Sequence, residues 1–172
     1  KKKKSIYTYR RAQVNTLVKQ MKKTVKSVDP NVSYGISPAG NIDNLTSKYS
    51  YYVDINKWLN SHDYVDYICP QIYWGFKHPY AKFDRVTKRW MKAAKSKKVK
   101  VYIGIAVYRA GHNTGASSSE RREWRSDANV LKKQVQYARK KGCDGFAFFD
   151  YQDLKSKTSA RAVKNLKKVL KR

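Results

Sequence analysis

The chain has 172 residues, 41% of them hydrophobic, enough for one domain with a real core and too apolar for a disordered chain. Lys and Arg number 39 against 12 Asp and Glu, a formal charge of +27, which fits either attraction to polyanions or a lysine-coated solvent surface. No apolar run approaches the roughly 20 residues of a membrane span, and no secretion signal follows Lys1–Lys4.

Residues 1–9 form a basic start, expected to be flexible or cut from an upstream half. From Arg11 to Val28 the apolar residues Val14, Leu17, Val18, Met21, Val25 and Val28 recur at helical spacing, and Asp29-Pro30 stops the helix. Val32–Ser37 is a short strand closed by Pro38 and Gly40, and a polar segment, 41–52, follows. Asp54–Ser61 is a short helix with Trp58 and Leu59 inward. Val65–Tyr73 is the second strand, and 80–96 is a helix with Phe83, Val86, Trp90 and Ala94 on one stripe. Val99–Tyr108 is the third strand. Its odd positions Val99, Val101, Ile103, Ile105 and Val107 are all branched and suited to packing on helices. Its even positions Lys100, Tyr102, Gly104, Ala106 and Tyr108 suit a barrel interior or a crevice. Residues 109–125 read as a Gly/Ser-rich loop. Ser126 or Asp127 caps a helix that ends near Lys140, Gly145–Tyr151 is the fourth strand, and Ser159–Leu170 is a closing amphipathic helix.

Strands separated by helices imply right-handed crossovers and a parallel sheet. One leading helix and four such units amount to half of a (β/α)₈ barrel, which typically takes about 250 residues, or to a small open sheet. The whole chain, 1–172, is expected to be a single half-barrel domain. Cys69 and Cys143 fall in or beside core strands and read as buried free thiols. No Cys/His cluster has zinc spacing, and neither a G-x-G-x-x-G, a P-loop nor a G-x-S-x-G motif occurs, so no metal or cofactor is expected.

Function in parallel α/β folds collects at the carboxyl ends of the strands. Those ends carry Ser37 on the first strand, Gln71, Tyr73 and Trp74 on the second, Tyr108 on the third and Asp150 on the fourth. Flat aromatic faces stack on the apolar C–H surface of sugars while amides and carboxylates bond hydroxyls, a mix that suits a carbohydrate cleft, although aromatics in strands also serve as core. Glycoside hydrolysis needs two carboxylates, and Asp150 and Asp43 are the best placed. Asp54 reads as a helix N-cap, Asp66 lies at the structural end of its strand, and Glu120 and Glu123, beside Arg121 and Arg122, read as solvated.

Several segments together resemble the glycosyl hydrolase-like 10 family: Arg10-Arg11 with Asn15 and Val18, 34–38 (Tyr-Gly-Ile-Ser-Pro), Tyr52-Val53-Asp54 with Trp58, 66–74 with its Pro-Gln-Ile-Tyr-Trp stretch, 102–108 and 145–149. The resemblance implies strands five to eight of the barrel, an exported bacterial protein acting on glycans such as cell-wall peptidoglycan, and a cleft lined by Ser37, Asn44, Gln71, Tyr73, Trp74 and Tyr108. The family's first four strands have no counterpart here, so glycosidase activity is expected only when the chain is joined to an upstream half. An upstream half or a homodimer would close the sheet. The rival expectation is a non-catalytic basic module that binds anionic cell-wall polymer or nucleic acid. The expected location is extracellular or at the cell envelope.

Overall fold

The computed structural model describes residues 5–94, 96 and 98–170. Helix α1, Ile6–Val28, starts where the Ser5 hydroxyl accepts the Thr8 amide and stops at Asp29-Pro30. There follow β1 (Gly35–Ile36), α2 (Ile42–Thr46), α3 (Ile55–Leu59), β2 (Tyr67–Ile68), α4 (Phe83–Ala93), β3 (Lys100–Ala106), a 3₁₀ turn at Val107–Arg109, α5 (Ser118–Ser126), α6 (Val130–Lys140), β4 (Gly145–Phe149) and α7 (Ala160–Leu170). The four strands stand side by side in chain order and every pairing is parallel. This is the α/β arrangement of half a (β/α)₈ barrel, and the sheet is not closed.

Several boundaries differ from the expectations, each for a local reason. The basic start is helical from Ile6, leaving only Lys1–Lys4 outside the described residues. Strands β1 and β2 shrink to two residues each because Pro38 and Pro70 lack the amide a central ladder needs. Backbone bonds nonetheless continue the pairing beyond them, from Asp66 N to Tyr34 O at 2.7 Å and from Gln71 N to Pro38 O at 2.9 Å. The Gly/Ser-rich loop contains helix α5, capped by Ser117, whose hydroxyl accepts the Glu120 amide. The polar segment after β1 contains α2, capped by the Asn41 side chain. Helix α6 begins after Asn129, with Asp127 accepting the Asn129 amide at 2.8 Å rather than capping the helix itself.

The parity expected of β3 holds. Val101, Ile103 and Ile105 are buried against the helices, with Phe83 and Trp90 of α4, Leu131 and Val135 of α6, and Val163 and Leu166 of α7 in the same core. The strand register places Tyr67, Tyr102, Ala106 and Phe149 on the opposite, inner face. Tyr67 and Tyr102 lie 5.3 Å apart there, and a Cβ at neighbouring Gly35 would stand 2.3 Å from the Tyr67 ring. On α1 the apolar spacing overstates burial. Val18 is buried, but Leu17, Met21 and Val28 face solvent, Val28 at 85% exposure. Asn15, which donates no apolar surface, is buried instead and accepts the Trp58 indole N–H at 2.7 Å. Cys69 and Cys143 are both free thiols, Cys69 buried and Cys143 half-buried.

Candidate functional site

The carboxyl ends of β1, β2 and β3 come together in one row. Gln71 bridges to Ala39 on one side and to Gly104 on the other. Its side-chain amide donates to the Ser37 carbonyl at 3.1 Å, and the Ser37 hydroxyl donates to the Cys69 carbonyl at 2.8 Å. Gln71 is half-buried and Ser37 exposed.

Beside this row stands an aromatic cluster drawn from three strand ends. The Tyr73 and Phe149 rings stack with centroids 5.8 Å apart, and Tyr108 meets both edge-on at 6.1 and 6.2 Å. Arg109 lies over the Tyr108 ring at 5.5 Å. Burial pushes the Tyr73 hydroxyl above the usual phenol range, with Cys69 and Tyr108 adding to it, so Tyr73 keeps its hydroxyl proton as a hydrogen-bond donor. Phe149 keeps 53% of its surface exposed despite its position in a strand. An exposed ring stacked on a second ring, next to an amide, is a surface that fits the C–H face of a sugar ring.

The sequence of the glycosyl hydrolase-like 10 family matches residues 1–124. The chain is 33% identical over 141 residues to a protein named glycosyl hydrolase DigH from Escherichia coli strain K12, an alignment covering 74% of this chain and 31% of the relative. It is also 33% identical over 139 residues to glycosyl hydrolase YngK from Bacillus subtilis strain 168, covering 70% of this chain and 26% of the relative. This chain belongs to the glycosyl hydrolase-like 10 family. It spans about a third or less of the length of these two family members.

Of the residues expected to line the cleft, Ser37, Gln71, Tyr73 and Tyr108 meet at the strand ends of this family's fold. Trp74 follows directly, half-buried, its ring 5.9 Å from His78 and packed against Gly40. Asn44 sits exposed on α2. Asp43, on the same helix, is held by Arg89 of α4 in a two-pronged pair at 2.5 and 2.6 Å, and that guanidinium keeps its carboxyl below the usual range. Together with Tyr80 and Arg85 they line a hollow of about 200 Å³ that the aromatic cluster does not share. Asp150 follows Phe149 at the tip of β4, half-buried, with one oxygen accepting the Asp153 amide at 3.1 Å.

Three residues near the strand ends escape the sequence reading. Phe149 is one; its parity with Ala106 across the β3–β4 ladder is the signal that places it on the inner face. Glu120 and Glu123 are the others, and here the expectation of solvated carboxylates is corrected. Glu120 is fully buried and Glu123 half-buried, because α5 turns them toward the backbone that follows β2. Asp54 does cap α3, accepting the Lys57 amide at 3.2 Å. Among the described residues no three His, Cys, Asp or Glu side chains gather closely enough to hold a metal ion, and no helix is long and apolar enough to cross a membrane.

Proposed function

We propose that this chain supplies strands five to eight of a glycoside hydrolase barrel whose substrate is bacterial cell-wall polysaccharide, outside the cytoplasm. The observation that carries the reading is the exposed Phe149 ring stacked on half-buried Tyr73, with Tyr108 and Gln71 at the inner strand ends. A sugar ring lies on this aromatic surface and on Trp74, and Gln71 and Tyr73 bond its hydroxyls. The names of DigH and YngK as glycosyl hydrolases support the reaction class. A charge of +27 draws the chain to an anionic envelope, which supports a wall polymer as the substrate.

Asp150 is the carboxyl group we assign as general acid, protonating the leaving oxygen. A second carboxylate, acting as nucleophile or base according to its separation from the first, comes from the strands that close the ring. Asp43 is committed to Arg89, so we give it a tethering role between α2 and α4. The closing strands are an upstream half-barrel or a second copy of the chain. The support is that the outer edges of β1 and β4 have no strand partner among the described residues. The test is hydrolysis of purified glycan strands by the chain joined to its completing half. Asp150→Ala is expected to lower turnover by a factor of about 100 or more, and unchanged turnover removes Asp150 from the mechanism.

A second reading rests on the hollow of about 450 Å³ beside α7, lined by Lys155, Lys164, Lys167 and Lys168 over Leu154 and Val163. It makes the chain a binding module for an anionic wall polymer. Binding of that kind weakens steeply with salt, whereas stacking on Tyr73 and Phe149 barely changes. Titration with a wall polysaccharide at two salt concentrations separates the two readings.

A further inference from the structure

Four successive backbone groups after β2 are held by side chains from the layer that follows β3. The Trp74 carbonyl accepts from the Gln134 amide at 3.0 Å. The Gly75 N–H donates to Glu120 at 3.0 Å, and the Phe76 and Lys77 N–H groups donate to the two oxygens of Glu123 at 3.2 and 2.9 Å. Glu120 has no exposed surface, and its carboxylate also accepts the Ala116 N–H at 2.7 Å and the Trp124 indole N–H at 3.3 Å. Burying a polar group is costly unless hydrogen-bond donors replace the lost water, and here three do, two backbone N–H groups and one indole N–H. The fit is close: a Cβ on Gly75 would stand 2.2 Å from a Glu123 oxygen. From the other side the Trp74 ring packs so near Gly40 that a Cβ there would lie 2.8 Å from it. The residue that carries the Trp74 indole is thus locked both through its backbone and at its ring.

We propose that Glu120, Glu123 and Gln134 are positioning residues that fix the plane of Trp74 for stacking on a sugar. The assignment rests on the reading of Trp74 as part of the sugar surface. A preorganised aromatic plane does not lose rotamer freedom on binding, so loosening the clamp lowers affinity without removing a ligand contact.

The test uses the full chain and a tetramer of β-1,4-linked N-acetylglucosamine as probe. Amide exchange by NMR reads the clamp, and calorimetry reads the affinity. Glu120→Gln and Glu123→Gln are expected to speed exchange at Gly75, Phe76 and Lys77, to leave β3 amides protected, and to weaken probe binding about fivefold. In a Trp74→Ala background the same substitutions are expected to have no further effect on affinity, which a general loss of stability would not reproduce. Unaltered exchange at the three amides, or an equal affinity loss with and without Trp74, overturns the assignment. Unaltered affinity in Trp74→Ala alone overturns the stacking reading, as does a wild-type chain that does not bind the probe, and the assignment goes with it. Should Glu120→Gln unfold the chain, Glu123→Gln at the half-buried position carries the same test.

Discussion

Asp66 is gripped from three directions at the foot of β2. Lys22 and Lys26 of α1 approach its two oxygens at 2.5 and 3.0 Å, and the Tyr34 N–H donates to it at 2.8 Å. Burial by itself would raise this carboxyl group, but Lys22, the Tyr34 amide and Lys26 outweigh it and hold the pKa at about 2. An unfolded aspartate titrates near pH 4, so in this window the unfolded chain takes up the proton first and stability falls with pH. The group's contribution, on the order of 2 kcal/mol, is complete above about pH 4 and lost toward pH 2. Thermal unfolding of Asp66→Asn across this range is expected to show a deficit at neutral pH that closes on acidification; a deficit that persists at pH 2 contradicts the account. The buried Asn15–Trp58 bond is the second residue-scale test. Asn15→Leu strands the indole N–H and is expected to cost about 1–3 kcal/mol in denaturant unfolding. The structural place of Asp66 was legible, because it starts a strand. The burial of Glu120 and Glu123 was not, because Arg121, Arg122 and the Gly/Ser-rich surroundings signal solvent, and the Gly75, Phe76 and Lys77 amides that they accept lie more than forty residues away.

At the scale of elements, alternation served well where a strand has two different faces and poorly where a helix has unpartnered surface. The branched odd positions of β3 identified the helix-facing side, and Ile103, fully buried there, is expected to cost about 2–5 kcal/mol as Ala. In α1 the 3.6-residue period marked apolar residues around more of the helix than the core covers. Val18 and Leu17 make the comparison direct. Val18→Ser is expected to cost about 1–2 kcal/mol, while Leu17→Ser stays within about 0.5 kcal/mol in the isolated chain. Equal losses would mean that the exposed side of α1 is packed in solution. Helix α5 was hidden because its nine residues include only one large apolar side chain, Trp124, so periodicity had nothing to register.

For the molecule as a whole, strand order and direction followed from the alternation of helix and strand, and the half-barrel size followed from length. That Gln71, Tyr73 and Tyr108 share one rim was legible from strand ends, since parallel strands must deliver their tips to the same side, whereas the Phe149 ring that joins them was not. What length and pattern did not carry is the partner that closes the ring. The edges of β1 and β4 and the bare apolar side of α1 coexist with a charge of +27. Exposed sheet edges invite pairing between chains, and lysine repulsion is one of the means that keeps them apart. That repulsion reaches only about 10 Å in 0.1 M salt and about 3 Å in 1 M. Light scattering of the isolated chain is therefore expected to report monomers in dilute buffer and growing assemblies as sodium chloride is added, the reverse of the dispersal that salt brings to a complex held by opposite charges.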